Sequence, residues 1–580
     1  MLKKIFYLDT RSLALMRVVI GLTFLGDILH RFGDINAFYS DQGILTRAEF
    51  IQNYGIHSKW GLLLAGGESW WVFLIFAIGT IFGVMYTKGI RTRLSAVVIW
   101  VVYMSLHNRL PIINHGGDNL TRLLFFYSIF LPVGAEYSMD KVLNSKWAEV
   151  PRKYFSSWTV LLFVQAICIY WFTIWYKWHP HYKTEFSAVY YALQLEAFTT
   201  PIGKFLKDYI WLGKFLTVGT MLIEAICPAL LLVTFKQAWM RGICVAGFFA
   251  LHIGIWLTFI LGTFPPACIA LWCAFIPSEF WDWIGTKIPR GKGMTLFYDK
   301  ECGFCRKFSL MIREALFLKE MDVQEAQSDK KADELMKAET SWVLRSNQEY
   351  FTKFSVYKEM ILNSYYRPFG KLLVFKDLGD SIYSYLSKKR ECFGIMLNKI
   401  GNSSPWHPMK WKGQIFGVII SLFVFAWNLE GTWAVRGFDI QRPFTDFVFA
   451  LQLNQQWNMF APSPMKTDGW YVFEGELENG KKWDIYYDEA IDFNYKPDPM
   501  RSRYKNTQWR KFLISAWYKK NNSYRQYLAR WVCRQWNRSH NGAEKARRLN
   551  MYYMNERTPP IGEPIPKPQP VSTWEGACAP

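Results

Sequence analysis

A chain of 580 residues is long enough for several domains. Apolar residues make up 51% and aromatics 18%, yet the mean hydropathy is zero, so greasy stretches must alternate with polar ones. That excludes a plain soluble domain and predicts a membrane protein carrying soluble parts; the net charge of +21 then directs attention to anionic partners.

In chain order, apolar runs near 12–31, 70–86, 94–108, 119–134, 158–176, 213–235, 241–261, 264–283 and 413–430 predict about nine membrane spans. Crossing hydrocarbon takes ~20 helical residues, so the short third and fourth runs are read as tilted, buried or partly re-entrant. The opening MLKKIFYLDTRS is basic and enters the first run without a small-residue cleavage site, which predicts a retained span. The Lys/Arg-rich loops at 87–93, 139–153 and 235–241 follow the second, fourth and sixth runs. Basic short loops stay in the cytoplasm, so the N-terminus is expected there, with segment 108–122 and the Lys177 region on the outer face.

The stretch from Gln165 to Phe205 is the expected seat of chemistry. It begins as an apolar aromatic run and ends with Lys177, His179, His181, Lys183 and Glu185. An ionisable group at the edge of hydrocarbon is costly and therefore a functional candidate; the competing reading is a lysine that snorkels to the interface. A desolvated lysine loses its proton more readily and becomes available as a base. Further on, Glu224 and His252 lie in mid-span, where they are expected to pair with each other, either for function or to fix helix packing. Asp27 and His30 lie nearer the interface and carry less weight. Five cysteines, Cys168, Cys227, Cys244, Cys268 and Cys273, fall in apolar runs and read as packing residues.

From about 290 to 400 the character changes. MTLFYDKECGFCRKFSLMIREAL is a short β-type run, then Cys302 and Cys305 in a C-x-x-C, then a helical pattern, as in thioredoxin-like redox proteins. A helix start favours the Cys302 thiolate for attack, and Cys305 can resolve the mixed disulfide. A zinc site is the alternative, but only Cys392 stands nearby as a further ligand, and no metal is expected. Beyond the ninth run, two β-type stretches flank Asn479-Gly480, a strong hairpin signal. Residues 501–550 are basic, helical and rich in Trp and Tyr, and a Pro-rich strap follows. Anionic lipids or an acidic polypeptide suit this basic surface better than nucleic acid, which is not expected as a partner. Cys533 and Cys578 are expected to bridge on an oxidising face.

DTRSLALMRVVIGLTFLGDILHR with AFYSDQGILTR, NHGGDNLTRLL with FLPVGAEYS, the Glu224 and His252 runs, LQLNQQWNMFAPSPMKTDGWYVFEGEL, YLARWVCRQWNRSH and YYMNERTPP together resemble the HTTM family, related to vitamin K-dependent gamma-carboxylase. The resemblance covers nearly everything outside 290–400. It implies a reduced isoprenoid quinone of the vitamin K or menaquinone type, Lys177 as the base that deprotonates it, and Asn114 with His115 as a contributing pair. Asp118, Glu224 and His252 are assigned with Asn114 to the cofactor side, and a Glu-containing peptide is the implied substrate. The sequence departs from the family between Lys177 and Ala188, where Lys183 and Phe186 stand in place of a Trp and a Gly. The DxxCGFC form at Asp299–Cys305, with SWVLRSNQEYFTKFSVYKEM and IYSYLSKKRECFG, resembles the DCC family of thiol-disulfide oxidoreductases and implies a thiol redox partner.

The expected architecture is a multispan α-helical membrane protein with an inserted α/β thioredoxin-like domain and a C-terminal β-containing extracytoplasmic domain. Its parts are a helical transmembrane domain at 1–287, the redox domain at 288–402, a final span and linker at 403–450, and the outer domain at 451–580. Placement in a bacterial inner membrane, with the redox domain cytoplasmic, follows from the loop charges and the resemblance. Two other functions stay open: a membrane protein exchanging electrons between thiols and quinone, and a non-catalytic factor for maturation or export of a secreted peptide.

Overall fold

The computed structural model describes residues 2–578 except 56–59, 145, 146, 148, 288, 289, 303, 304, 372–375, 389–405, 433–439 and 442. Cys392 therefore lies outside the described residues. Helix α1 (Thr10–Arg31) is capped by Asp9, whose carboxylate accepts from the Arg11 amide at 2.8 Å. It is followed by α2 (Ser69–Lys88), α3 (Thr92–Arg109), α4 (Gly116–Ser128), α5 (Ser157–Tyr176), α6 (Ile210–Leu230), α7 (Gln237–Thr258), α8 (Phe264–Cys273) and α9 (Ser278–Lys287). Among the described residues six helices are long and apolar enough to cross a membrane: α1, α2, α5, α6, α7 and the later Trp411–Glu430. Of the other three expected spans, α4 and α8 have only 13 and 10 residues, about 20 Å and 15 Å of helix, short of the ~30 Å hydrocarbon thickness. Helix α3 ends in buried His107, Asn108 and Arg109.

Burial explains the difference. Nearly every residue of α4 and α8 is buried, so both sit inside the bundle; α8 is apolar all round, and the polar Asp118 and Arg122 of α4 are hydrogen-bonded within the protein. By contrast α2, α6 and α7 leave large apolar side chains such as Phe73, Ile81, Phe215, Leu222, Ile243 and Trp256 exposed. Apolar surface on that scale is stable only against another apolar medium. Helices α1 and α2 approach closely at Gly79 and Gly83, where an added Cβ would stand 2.6 Å from Ile28 Cδ1 and 2.7 Å from Leu25 Cδ2; small residues permit such contact between spans.

The three basic loops meet at one end of the bundle. Asp140 accepts from the Thr92 amide (2.7 Å), strand β1 (Leu8–Asp9) pairs antiparallel with β2 (Lys153–Tyr154), and the Arg241 guanidinium donates to the Tyr7 carbonyl (3.0 Å). The 294–362 unit docks at this same end. It comprises β3 (Met294–Tyr298), α10 (Cys305–Ala315), β4 (Asp322–Glu325), α11 (Lys330–Glu339), β5 (Val343–Ser346), β6 (Glu349–Thr352) and α12 (Phe354–Leu362). Its sheet runs β4-β3-β5-β6, with β3 parallel to β4 and antiparallel to β5. A small core of Leu296, Leu318, Trp342, Leu344, Val356 and Met360 holds it together.

Helix α13 (Trp411–Glu430) returns the chain to the other end, where strands β7 (Thr467–Leu477), β8 (Lys482–Asp484), β9 (Ala546–Arg557) and β10 (Gln569–Ala577) form an antiparallel sheet ordered β10-β9-β7-β8. The β7–β8 turn is the Asn479-Gly480 hairpin anticipated from sequence; Gly480 has φ of 80°, a left-handed conformation that glycine adopts freely. Helices α14 (Thr507–Trp517) and α15 (Asn522–Ser539) connect this sheet to the bundle. Cys533 on α15 is bridged to Cys578 beyond β10, their Cα atoms 5.5 Å apart, so the stretch after the Pro-rich strap is an anchored strand. Closing a loop of 45 residues contributes about 2–4 kcal/mol.

Candidate functional site

Helix α5 builds the site. Tyr170, Thr173 and Lys177 recur at spacings of three and four, which puts them on one face. Lys177 is the C-cap of α5, and its side chain is 5% exposed rather than snorkelling to solvent. Its ammonium forms an ion pair with the Glu224 carboxylate of α6, itself 7% exposed. The Tyr182 ring lies 5.5 Å from Lys177 Nζ, and the Tyr182 hydroxyl donates to the Phe460 carbonyl at 2.6 Å. Trp171 Nε1 donates to the Ala225 carbonyl (3.1 Å), tying α5 to α6 beside the pair.

Two turns earlier, the Tyr170 hydroxyl meets His252 Nε2 of α7 at 2.8 Å and accepts from Trp272 Nε1 of α8 at 2.8 Å. Phe248 stacks on Trp272 with centroids 4.0 Å apart. The expected Glu224–His252 pair is therefore not formed. Each residue finds its partner on α5 instead, because the Lys177 cation compensates the buried carboxylate as a neutral imidazole cannot, and Tyr170 offers His252 a hydroxyl.

His115 has a different setting. As N-cap of α4 it accepts the Gly117 amide on Nδ1 (3.1 Å), while Asp118 accepts the His115 amide (3.0 Å). Desolvation pushes its imidazole below the usual histidine range. With Nδ1 accepting, the proton of the neutral ring sits on Nε2, which is buried without a hydrogen-bond partner among the described residues. Asn114 donates to the His107 carbonyl at 2.9 Å. Asp118 is committed to Arg31, which donates to it at 3.0 Å, to Asp27 at 2.8 Å and to the Tyr39 hydroxyl at 2.8 Å; Tyr103 adds a bond to Asp27 at 2.7 Å. Asp27 is thus part of a closed buried network, a stronger position than its place in the sequence suggested.

His115 does not touch the Lys177 pair. Phe264 lies between, against Gly117 on one side and with its ring 5.8 Å from that of His252 on the other. Both places are at the same end of the bundle and share one strap: Trp457 accepts from Thr173 (2.9 Å), Phe460 from Tyr182, and Met459 approaches Gly116. Gln455 continues the strap inward to Gln165 (2.7 Å). Gln165 opens the stretch expected to hold the chemistry but was given no role there, and the 452–460 strap was cited only for the family resemblance; a buried polar Gln in an apolar run was the available signal. A cavity of about 440 Å³ opens beside this region between α1, the α7–α8 turn and α14, with Leu22, Trp256 and Ile269 in its apolar wall and Asp27 and Gln508 at its polar side. Gly262 separates it from His115, whose Nε2 would lie 2.8 Å from a Cβ at that position.

Cys302 and Cys305 are disulfide-bonded at the start of α10, with Cys305 fully buried and Cys302 partly exposed. The far end of α10 is the one that meets the bundle: Glu314 accepts from the Tyr137 amide (3.3 Å) and Phe317 packs on Tyr137. Eleven residues of helix, about 16 Å, separate the disulfide from that contact. Among the described residues no cluster of His, Cys, Asp and Glu has a metal-holding arrangement. The chain matches no family model, and it matches no curated protein and no solved structure.

Proposed function

We propose that the chain is a quinol-dependent membrane enzyme, related in mechanism to gamma-carboxylases, in which Lys177 with Glu224 takes the proton from a reduced isoprenoid quinone; the resemblance extends this to modification of a Glu-containing peptide. The buried Lys177–Glu224 pair on the aromatic face of α5 carries the reading. Passing the shared proton from nitrogen to the Glu224 carboxylate leaves an amine beside a carboxylic acid, the form that can act as base. Aromatic side chains beside the pair, Tyr170 and Tyr182 among them, suit the ring of such a quinone, whereas the 440 Å³ cavity reaches neither Lys177 nor Glu224 and is no part of this reading. When bound, the quinol supplies a weakly acidic hydroxyl. We place the N-terminus and the redox unit in the cytoplasm of a bacterial inner membrane; the gathering of all three basic loops at the end that carries the redox unit supports this.

The decisive variant is Lys177→Arg, because guanidinium keeps the ion pair with Glu224 but stays protonated. In liposomes charged with a menaquinone-type quinol, Lys177→Arg and Lys177→Ala are expected to lose turnover by about 100-fold or more. Full turnover in the Arg protein would remove Lys177 from the mechanism.

A second reading concerns the redox unit by itself: thiol-disulfide exchange with a separate protein. A sheet ordered β4-β3-β5-β6 with a disulfide-forming C-x-x-C after β3, at the start of the following helix, supports this reading. The distance along α10 disfavours direct transfer from these cysteines to a quinone in the bundle. Cys302, the more exposed sulfur, attacks; Cys305→Ser should therefore accumulate a mixed disulfide with the partner, and Cys302→Ser none. Trapping by neither variant would leave the disulfide a structural one.

A further inference from the structure

Where the redox unit meets the bundle, at the end remote from Lys177, α1, α9 and residues 365–366 enclose a second cavity of about 460 Å³. Its floor is the start of the first span, Ala14, Leu15 and Val18. Four cations line it against one acid, Asp282. Three of them are engaged: Arg11 with Asp9 and Asp282, Arg290 with Glu320, and Lys319 with Glu136. Arg152 is exposed, and only its backbone carbonyl is bonded among the described residues. Tyr365 in its lining is 62% exposed, and Phe280, Trp283 and Phe369, close in sequence to lining residues, are exposed as well. Aromatic side chains left open beside the end of a span mark the level of lipid headgroups.

We infer that this cavity binds one anionic phospholipid from the surrounding leaflet, with its phosphate at Arg152 and Lys319 and an acyl chain along Leu15 and Val18. The exposed Arg152 guanidinium, without a side-chain partner among the described residues, favours an anion, and the apolar floor continuing onto a membrane-facing helix favours a chain; a soluble phosphate satisfies only the first, and a zwitterionic lipid brings no net charge to it. Because the walls come from both the bundle and the redox unit, the lipid lies in their joint. The inference is independent of the quinol reading, which concerns the opposite end.

Native mass spectrometry of the full chain, extracted in mild detergent and titrated with phosphatidylglycerol or phosphatidylcholine, tests it. One phosphatidylglycerol per chain should be retained in preference to phosphatidylcholine, and Arg152→Glu should weaken that retention roughly tenfold, Arg152→Gln less, with Arg152→Lys close to the parent. Arg152 is exposed, so these variants are expected to elute and melt as the parent does. Equal retention of the two lipids, or retention indifferent to Arg152→Glu, would overturn the proposal. Displacement of the lipid by inorganic phosphate alone would also overturn it, by showing an anion site that needs no chain.

Discussion

Glu224→Gln is expected to destabilise the folded protein by about 3–5 kcal/mol, because it leaves the Lys177 ammonium buried without its counter-charge. Lys177→Met should cost a similar amount by stranding the carboxylate. The double variant Lys177→Met/Glu224→Leu is expected to regain most of the loss, since two apolar side chains need no compensation in the same space. Unfolding of the four proteins in detergent, followed by size-exclusion after heating, gives the cycle. Losses that simply add would mean that the two residues act independently. The double variant also separates stability from chemistry: it should remain folded and be without quinol turnover.

Arg31→Met should have a larger effect still. Arg31 bridges Asp27 and Asp118 and donates to Tyr39, with its side chain and both carboxylates almost completely buried. Its removal leaves two buried carboxylates with no cation between them, so a loss beyond the about 3–5 kcal/mol of a single stranded charge is expected. Arg31→Lys should rescue little, because one ammonium cannot reproduce the planar fork that reaches both acids. Yield of monodisperse protein after membrane extraction is the readout; Arg31→Met matching the parent would show that Asp27 and Asp118 are held by other means. Asp118→Asn combined with Arg31→Met should recover part of the yield, having one charge fewer to bury.

Much of this was readable before any coordinates. The membrane-crossing runs around α1, α2, α5, α6, α7 and α13 are long and apolar enough to declare themselves, and the C-x-x-C stands between a β-type run and a helix as its spacing requires. Asn479-Gly480 marks its hairpin, because few other dipeptides take up the left-handed turn so easily. Lys177 was legible as costly, though not as closed off: its counter-charge lies 47 positions away on another helix, and local pattern says nothing about which helices become neighbours. The same limit produced the wrong partner for His252, and hid the Asp27–Arg31–Asp118 network, whose members come from α1 and α4. The short α4 and α8 resemble spans in composition because a helix buried by protein and one buried by lipid present similar side chains; only length distinguishes them.

The strap at residues 452–460 has a consequence for how this chain can be rearranged. It threads between helices and supplies acceptors to Thr173 and Tyr182, a carbonyl to Arg122 (3.2 Å) and an amide partner to Gln165, while Lys505, just before α14, and Trp509 on it add bonds to Asp34. Truncation before Gln452, or exchange of the sheet for that of another protein, would strand these groups inside the bundle. The 294–362 unit is joined through fewer groups, the buried Glu136 with Lys319 and Tyr137 with Glu314 and Phe317. Its excision would leave Glu136 without its Lys319 partner but would remove no strand from between the helices. Bundle and sheet thus depend on each other for buried hydrogen bonds, so a fragment meant to keep α5 and its neighbours intact has to include residues 452–577.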